Sequence, residues 1–302
     1  MFFIVICVLI VLCLIEIYVD NEMPKATSFN IESNKIPVEF DGYKLLQLSD
    51  LHSKSFGNNN EKLIKLIDKE KPNIIVMTGD MVTANETDFT VFYNLVRNLK
   101  EKYVLCYIYG NHEGELENKN RKKLADFLLE NGVVILNNDI TKLESGDAEI
   151  NLYGLCYPQK YYSYKAGKKY NISTKYIKEK IGTLDKKKYN ILLTHNPLFF
   201  DAYADWGADL TLSGHVHGGL IRLPFIGGLL SPERKFFPQY SAGLYENGDS
   251  KLIVSRGLSR GTKGFRFFNR PDVVSITLRS KKNWILVNMR ATWQVISCRN
   301  IY

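Results

Sequence analysis

YKLLQLSDLHSKSFGNNNEKLIKLIDKEKPNIIVMTGD, residues 43–80, holds a complete strand–helix–strand unit. Within it, YKLLQLSD (43–50) and NIIVMTGD (73–80) are apolar runs of strand length, and each ends on an aspartate. Between them NEKLIKLIDKEK (60–71) spaces Leu and Ile at helical period among lysines and acids. The pattern continues: FTVFYNLVRNLK (89–100) is helical in period, YVLCYIYGN (103–111) is strand-like, and a charged helix is expected near 117–131. This β-α-β-α-β rhythm is that of a parallel sheet covered by helices. Further strand-like runs are EINLYGL (149–155), YNILLTHNP (189–197), ADLTLSGH (208–215), KLIVSRGL (251–258) and DVVSITL (272–278). Some of these pairs lack a comparable helix between them, which points to a second sheet with antiparallel pairing. There is no internal repeat and no long low-complexity linker.

A chain of 302 residues with 45% hydrophobic content can bury a substantial core, as one large domain or two small ones, and this composition excludes a disordered chain. The five cysteines (Cys7, Cys13, Cys106, Cys156, Cys298) have no C-x-x-C spacing and are odd in number, so neither a disulfide framework nor a zinc knuckle is expected. They read as buried free thiols. The net charge of +8 is local: residues 160–188 carry ten lysines against Glu179 and Asp185, an excess that equals the whole imbalance. With its interleaved Tyr161, Tyr162, Tyr164, Tyr170 and Tyr176 this stretch has the residue types that stack on bases. It reads more simply as a solvated lysine-rich helix face, and no sequence-specific nucleic acid is expected.

MFFIVICVLIVLCLIEIYV (1–19) is apolar except for Glu16, and at about 1.5 Å per residue it spans roughly 27 Å, close to the hydrocarbon core of a bilayer. A secretory signal would carry a basic n-region and a small-residue cleavage site, and neither is present. The run therefore reads as an uncleaved, single-pass transmembrane anchor in the cell membrane. Lys25 and Lys35 flank only its C-terminal side, which leans the remainder towards the cytoplasm without deciding it. The expected organisation is an anchor (1–19), a connector and first strand (20–40), a catalytic domain (41–280) and a C-terminal extension of unassigned role (281–302).

Polar residues fall at one repeated place. SDLH (Asp50, His52), TGD (Asp80), GNHE (Asn111, His112), THNP (His195) and SGHVHGG (His215, His217) each lie at or just past the end of an apolar strand, and together they use all five histidines. In open α/β sheets ligands bind outside the carboxyl ends of the strands, so these side chains can converge on one crevice. Singly each motif is weak, since a lone strand-end histidine is usually structural. As a set they offer imidazole, carboxylate and amide but no thiolate, which suits Mn, Fe or Zn. That is more than one tetrahedral ion needs and enough for two ions that share a carboxylate, the usual clamp for in-line displacement at phosphorus. Two divalent ions against Asp50 and Asp80 leave a charge of about +2, which attracts a phosphate and stabilises charge building on its oxygens.

The order D-x-H, G-D, G-N-H-E, H and G-H-x-H resembles the calcineurin-like metallophosphoesterase family over residues from about 43 to 278. SDLH, GHVHGGLIRLP and VSRGL…RPDVVSITL are most similar to its membrane-associated bacterial branch. The resemblance implies a four-layer α/β/β/α sandwich, here preceded by the transmembrane helix, and a binuclear, metal-dependent phosphoric ester hydrolase. It implies that Asp50, His52 and His217 hold one ion, that Asn111, His195 and His215 hold the other, and that Asp80 bridges them. A bridging hydroxide would be the nucleophile, and His112 would stabilise the phosphoryl oxygens or protonate the leaving group. Many relatives have Asp where this chain has Glu113, a change expected to matter little for ligation.

Arg222, Arg256 and Arg260 are candidates to hold a second phosphate. LIRLPFIGGLLSPERKFF and the anchor are compatible with a lipid-linked or nucleotide-linked phosphate. Within the branch, a UDP-diacylglucosamine-type pyrophosphate is one implied substrate and a general phosphomonoester or phosphodiester another. A non-catalytic metal-binding adaptor is the alternative from another class, and it would predict missing ligands.

Overall fold

In the computed structural model the apolar runs become two six-stranded sheets packed face to face, each covered outside by helices. The structure describes residues 1–162, 170–219, 221–223, 227–230, 239–259, 266 and 268–282. In chain order the elements begin with α1 (Phe2–Glu22), β1 (Lys25–Ser33), β2 (Lys44–Leu48), α2 (Glu61–Glu70), β3 (Ile74–Thr78), α3 (Thr90–Lys100) and β4 (Val104–Ile108). There follow α4 (Asn111–Glu115), α5 (Asn118–Glu130), β5 (Val134–Ile135), β6 (Asp139–Ser145), β7 (Ala148–Leu155), α6 (Thr174–Ile181), β8 (Asn190–Thr194) and α7 (Phe200–Trp206). The last are β9 (Leu210–Ser213), β10 (Ile221–Leu223), β11 (Gly227–Leu230), β12 (Gly243–Asn247), β13 (Ser250–Val254) and β14 (Asp272–Ser280).

The first sheet runs β1-β14-β2-β3-β4-β5 and the second β12-β13-β9-β8-β7-β6, with β10 and β11 as a separate two-stranded ribbon. Strands β2 to β5 are parallel, as the rhythm of residues 43–135 predicts. The second sheet has the expected antiparallel pairing only at its edges. Its centre, β7-β8-β9-β13, is parallel, and only the edge strands β6 and β12 pair antiparallel. The short helices α6 and α7 make the first two crossovers there.

Period-two alternation assigns the layers. On β3, Ile75 and Met77 join the core under α2, α3 and α5, whereas Ile74 and Val76 join the core between the sheets. On β8, Ile191 and Leu193 face the other sheet and Leu192 faces the core under α6 and α7. Three apolar cores thus separate four layers, α/β/β/α. Burying strands on both faces is what lets them read as continuous apolar runs.

Helix α1 is the exception to this packing. Its apolar residues from Phe2 to Ile15 are exposed, and it is long and apolar enough to cross a membrane, with a mean hydropathy of 3.1. Within the expected connector and first strand (20–40), α1 continues to Glu22 and β1 starts at Lys25, so only two residues link them. Cys106 is a buried free thiol, but Cys7 and Cys13 are exposed on α1, contrary to the expectation of burial. Cys298 and residues 283–302, most of the expected extension, lie outside the described residues.

Candidate metal centre

Asp50 and Asp80 each lie two residues beyond the carboxyl ends of β2 and β3, Asn111 opens α4 just past β4, and His195 follows β8 directly. His215 and His217 occupy the turn after β9. Both sheets therefore aim their strand tips at one place. Asp50, His52, Asp80, His215 and His217 all have positive φ, between 45° and 71°. That left-handed conformation is unfavourable for residues other than glycine, and it concentrates where side chains must turn back over a strand end. Glycines permit the close approach: a methyl at Gly214 would strike Ser49 Oγ and Asp50 Oδ2, and one at Gly218 (φ +72°) would lie 2.6 Å from Asn269 Oδ1.

Two groups of potential ligand atoms, each within 4.8 Å of one another, are Asp50, His52 and His217, and Asp80, His195 and His215. A third group of the same kind, His52, Asp80 and His112, joins them across Asp80. His217 Nε2 is 3.4 Å from Asp50 Oδ1, and His195 Nε2 is 3.1 Å from Asp80 Oδ2 and 3.8 Å from Asp50 Oδ1. His52 Nε2 lies 3.9 Å and His112 Nε2 4.0 Å from Asp80 Oδ2.

The rings are oriented from behind. His195 Nδ1 lies 2.7 Å from the Thr78 carbonyl and His217 Nδ1 3.1 Å from the Ser259 carbonyl. A carbonyl can only accept, so both rings carry a proton on Nδ1 and turn Nε2 inward, the nitrogen that ligating histidines offer once it is unprotonated. His112 has the opposite tautomer. Its Nδ1 accepts the Ala84 amide N–H at 3.0 Å, which puts the proton on Nε2, facing the site.

Charge and burial make the site a fit for divalent cations. Asp50 and Asp80 are fully buried. Burial works to raise both carboxyls, yet neighbouring histidines, His217 first for Asp50 and His195 for Asp80, hold them below the ordinary range. Burial pushes His52 down to about 3, whereas at His195 the two carboxylates, Asp80 foremost, overcome burial and raise it to about 10. The carboxylates thus demand positive charge where the Nε2 atoms converge. In addition, Asn111 Oδ1 and both ring nitrogens of His52 are buried with no hydrogen-bond partner, which is rare for polar atoms unless a ligand claims them.

Glu113 does more than the sequence suggests. It is fully buried, and its carboxylate accepts from the amides of Asp80 (2.9 Å), Met81 (2.8 Å) and Gly110 (2.8 Å) and from Tyr107 Oη (2.7 Å). It therefore ties the Asp80 turn to the start of α4. Gln47, buried on β2, donates to Thr78 Oγ1 and to the Ser213 carbonyl, both at 2.9 Å, and so joins the two sheets beneath the site. Gln47 leaves no mark in the sequence, since its partners lie 31 and 166 residues away, and the support that Glu113 gives runs mostly through backbone amides that no motif records.

Of the three arginines, Arg222 donates to the Gly218 carbonyl at 2.8 Å, and the Arg256 side chain packs beside Gly218. Arg260 lies outside the described residues. In the lysine-rich segment, Tyr161 and Tyr176 pack with Tyr157 and Phe199 in and around the core under α7 rather than standing out from the surface.

Sequence comparison places these residues in a known context. The profile of the calcineurin-like phosphoesterases matches residues 43–219, which include every ligand candidate. An uncharacterized metallophosphoesterase of Bacillus subtilis (strain 168), YkuE, is 29% identical over 273 residues, covering 87% of this chain and 88% of that protein. The phosphodiesterase YaeI of Escherichia coli (strain K12) is 26% identical over 78% of this chain and 82% of its own length. An uncharacterized metallophosphoesterase of Campylobacter jejuni, Cj0846, is 30% identical over 91% of this chain and 69% of its own.

Proposed function

Since the chain belongs to the calcineurin-like phosphoesterase family, and is therefore a phosphoric ester hydrolase, we propose that it cleaves a phosphate ester or pyrophosphate bond with two divalent ions. Asp50, His52 and His217 hold one ion, Asn111, His195 and His215 hold the other, and Asp80 reaches both. The observation that carries this reading is the pair of three-residue ligand groups, each with its own buried aspartate. When bound, a pair of Mn, Fe or Zn ions supplies an activated water for in-line attack and positive charge against the phosphoryl oxygens.

The protein's own residues supply the rest. The Thr78 and Ser259 carbonyls fix the rings of His195 and His217, so that neither has to reorient when the site fills. The His215 amide N–H, 3.2 Å from both Asp50 carboxylate oxygens, and the His112 amide N–H, 2.8 Å from Asp80 Oδ1, hold the carboxylates in place. His112, partly open to solvent at the rim, presents an Nε2–H that donates to a phosphoryl oxygen or passes its proton to the leaving oxygen. In this reading Arg222 and Arg256, which lie beside Gly218 of the His217 turn, bind a second anionic group of the substrate.

Helix α1 serves as a membrane anchor in this reading, which brings lipid-linked phosphates within reach of the site. The test is the purified full-length chain, loaded in turn with Mn, Zn and Mg. It is offered a phosphomonoester, a phosphodiester, a nucleotide-sugar pyrophosphate and a lipid pyrophosphate. Metal-dependent turnover of at least one, with about two ions per chain by elemental analysis, is the expected result. A chain that binds no metal overturns the reading.

A further inference from the structure

The last turn of α1 does not hang clear of the catalytic domain. Asp20 is 1% exposed, and its Oδ2 accepts the backbone N–H of Asn269 at 3.0 Å. Asn21 pairs with Arg266 in both directions, Nδ2 to the carbonyl at 3.3 Å and the Arg266 N–H to Oδ1 at 3.4 Å. Lys54, two residues beyond His52, donates to the Asn21 carbonyl and to Glu22 Oε1. An acid in the last turn of a helix works against the helix dipole, so its burial there needs a tertiary reason.

That reason lies one bond further on. Asn269 is wholly buried, and its Nδ2 donates to the carbonyls of His217 at 2.8 Å and Gly219 at 2.7 Å. Both Asn269 bonds clamp the turn that carries His217. Arg266 Nη1 and Nη2 donate to the carbonyls of Asn269, Arg256, Gly257 and Ser259. The Ser259 carbonyl is the one that orients the His217 ring, and the Ser259 N–H donates back to the Asp50 carbonyl at 2.8 Å.

Resting on the two-ion reading above, we propose that the end of α1 is a positioning element of the metal centre. Asp20 and Asn21 hold Asn269 and Arg266, and these set His217 and the strand-end turn of Asp50. The apolar helix and the centre then form one rigid unit, with the site kept beside the point where the helix leaves the domain. Asp20 and Asn269 touch neither ion nor substrate; they act through His217.

The experiment is Mn2+ affinity, measured by competition with a chelator on the full-length chain in detergent micelles. Asn269→Ala and Asp20→Ala should weaken binding about tenfold, the usual cost of losing a partner behind a ligand, with the circular dichroism spectrum unchanged. Asp20→Asn, which keeps an acceptor oxygen, should restore affinity to within about threefold of wild type. A folded Asp20→Ala chain with wild-type affinity overturns the proposal and leaves the two-ion reading standing. A wild-type chain that binds no Mn2+ overturns both. A second measurement needs no variant: loading the wild-type chain with Mn2+ should slow amide exchange in residues 18–22 and at Asn269, because coupling between two sites is reciprocal. Unchanged exchange at both places overturns the proposal.

Discussion

His112 and His195 both bring Nε2 towards Asp80 Oδ2, but the His112 Nδ1 accepts a backbone N–H where the His195 Nδ1 donates to a carbonyl, which predicts different fates on substitution. His112 offers an N–H to the site and lies at its rim. His112→Ala should keep the metal content of the wild type and lower kcat by about 10²–10⁴-fold, the range for removing a general acid. Asp80→Ala removes the carboxylate proposed to reach both ions, so metal and activity should fall together; elemental analysis of the two variants separates the cases. A fully active Asp80→Ala chain would end the two-ion reading. The pH dependence follows from His195. Without metal its imidazole, held between Asp80 and Asp50, stays protonated up to about pH 10, whereas ligation needs the bare Nε2. Metal uptake at pH 7 must therefore release that proton, and affinity should climb with pH by up to about tenfold per unit while His195 remains protonated in the free chain. His52 and His217, both pushed down by burial, are already neutral there and release none. Calorimetric titrations in buffers of different ionisation enthalpy at pH 7 count the protons; a count of zero would contradict the assignment.

At the scale of elements, the site depends on how strand ends are tied to each other. Glu113 joins the β3 turn to α4 through two carboxylate oxygens that accept from four backbone amides and a tyrosine. Glu113→Gln keeps the shape but replaces one oxygen with an N–H2 that faces donors, leaving a buried clash worth about 2–4 kcal/mol. For a domain of this size that corresponds to a melting temperature lower by roughly 5–10 °C, and Asp80 loses its support at the same time. A melting curve identical to wild type would show that the knot is dispensable. The strands and their acidic or histidine tips were legible because apolar runs and chemistry-bearing residues are both local signals. SDLH at 49–52 and SGHVHGG at 213–219 announce themselves without partners. Glu113, Gln47, Asn269 and Arg266 did not, since each works by bonding to main-chain groups up to 166 residues away, as Gln47 does to Ser213. Main-chain partners leave no mark on composition or period. The parallel centre of the second sheet was missed for a related reason: its crossovers use the short helices α6 and α7 and, between β9 and β13, an excursion that contains β10, β11 and β12.

At the scale of the whole molecule, one question decides how the enzyme meets its substrate: whether α1 stays attached and spans a bilayer. Apolar side chains such as Phe2, Phe3, Leu9, Leu12 and Leu14 are more than half exposed, and the rest of the fold covers none of the apolar window. Transfer of such a helix into a bilayer is favourable by on the order of 5–10 kcal/mol on an insertion scale, and Glu16 near one end offsets only part of that. Two readings share this arithmetic, an anchor and a signal sequence removed after export. They part at Asp20–Glu22, because cleavage before these residues would free the buried Asp20–Asn269 and Asn21–Arg266 contacts from the helix that presents them. The anchor reading therefore predicts that the chain isolated from cells retains residues 1–19 by intact mass, and that it stays with the membrane pellet through an alkaline carbonate wash. A mature chain beginning near residue 20, or one that washes into the supernatant, would decide for the signal and would leave the metal centre to assemble without its helix.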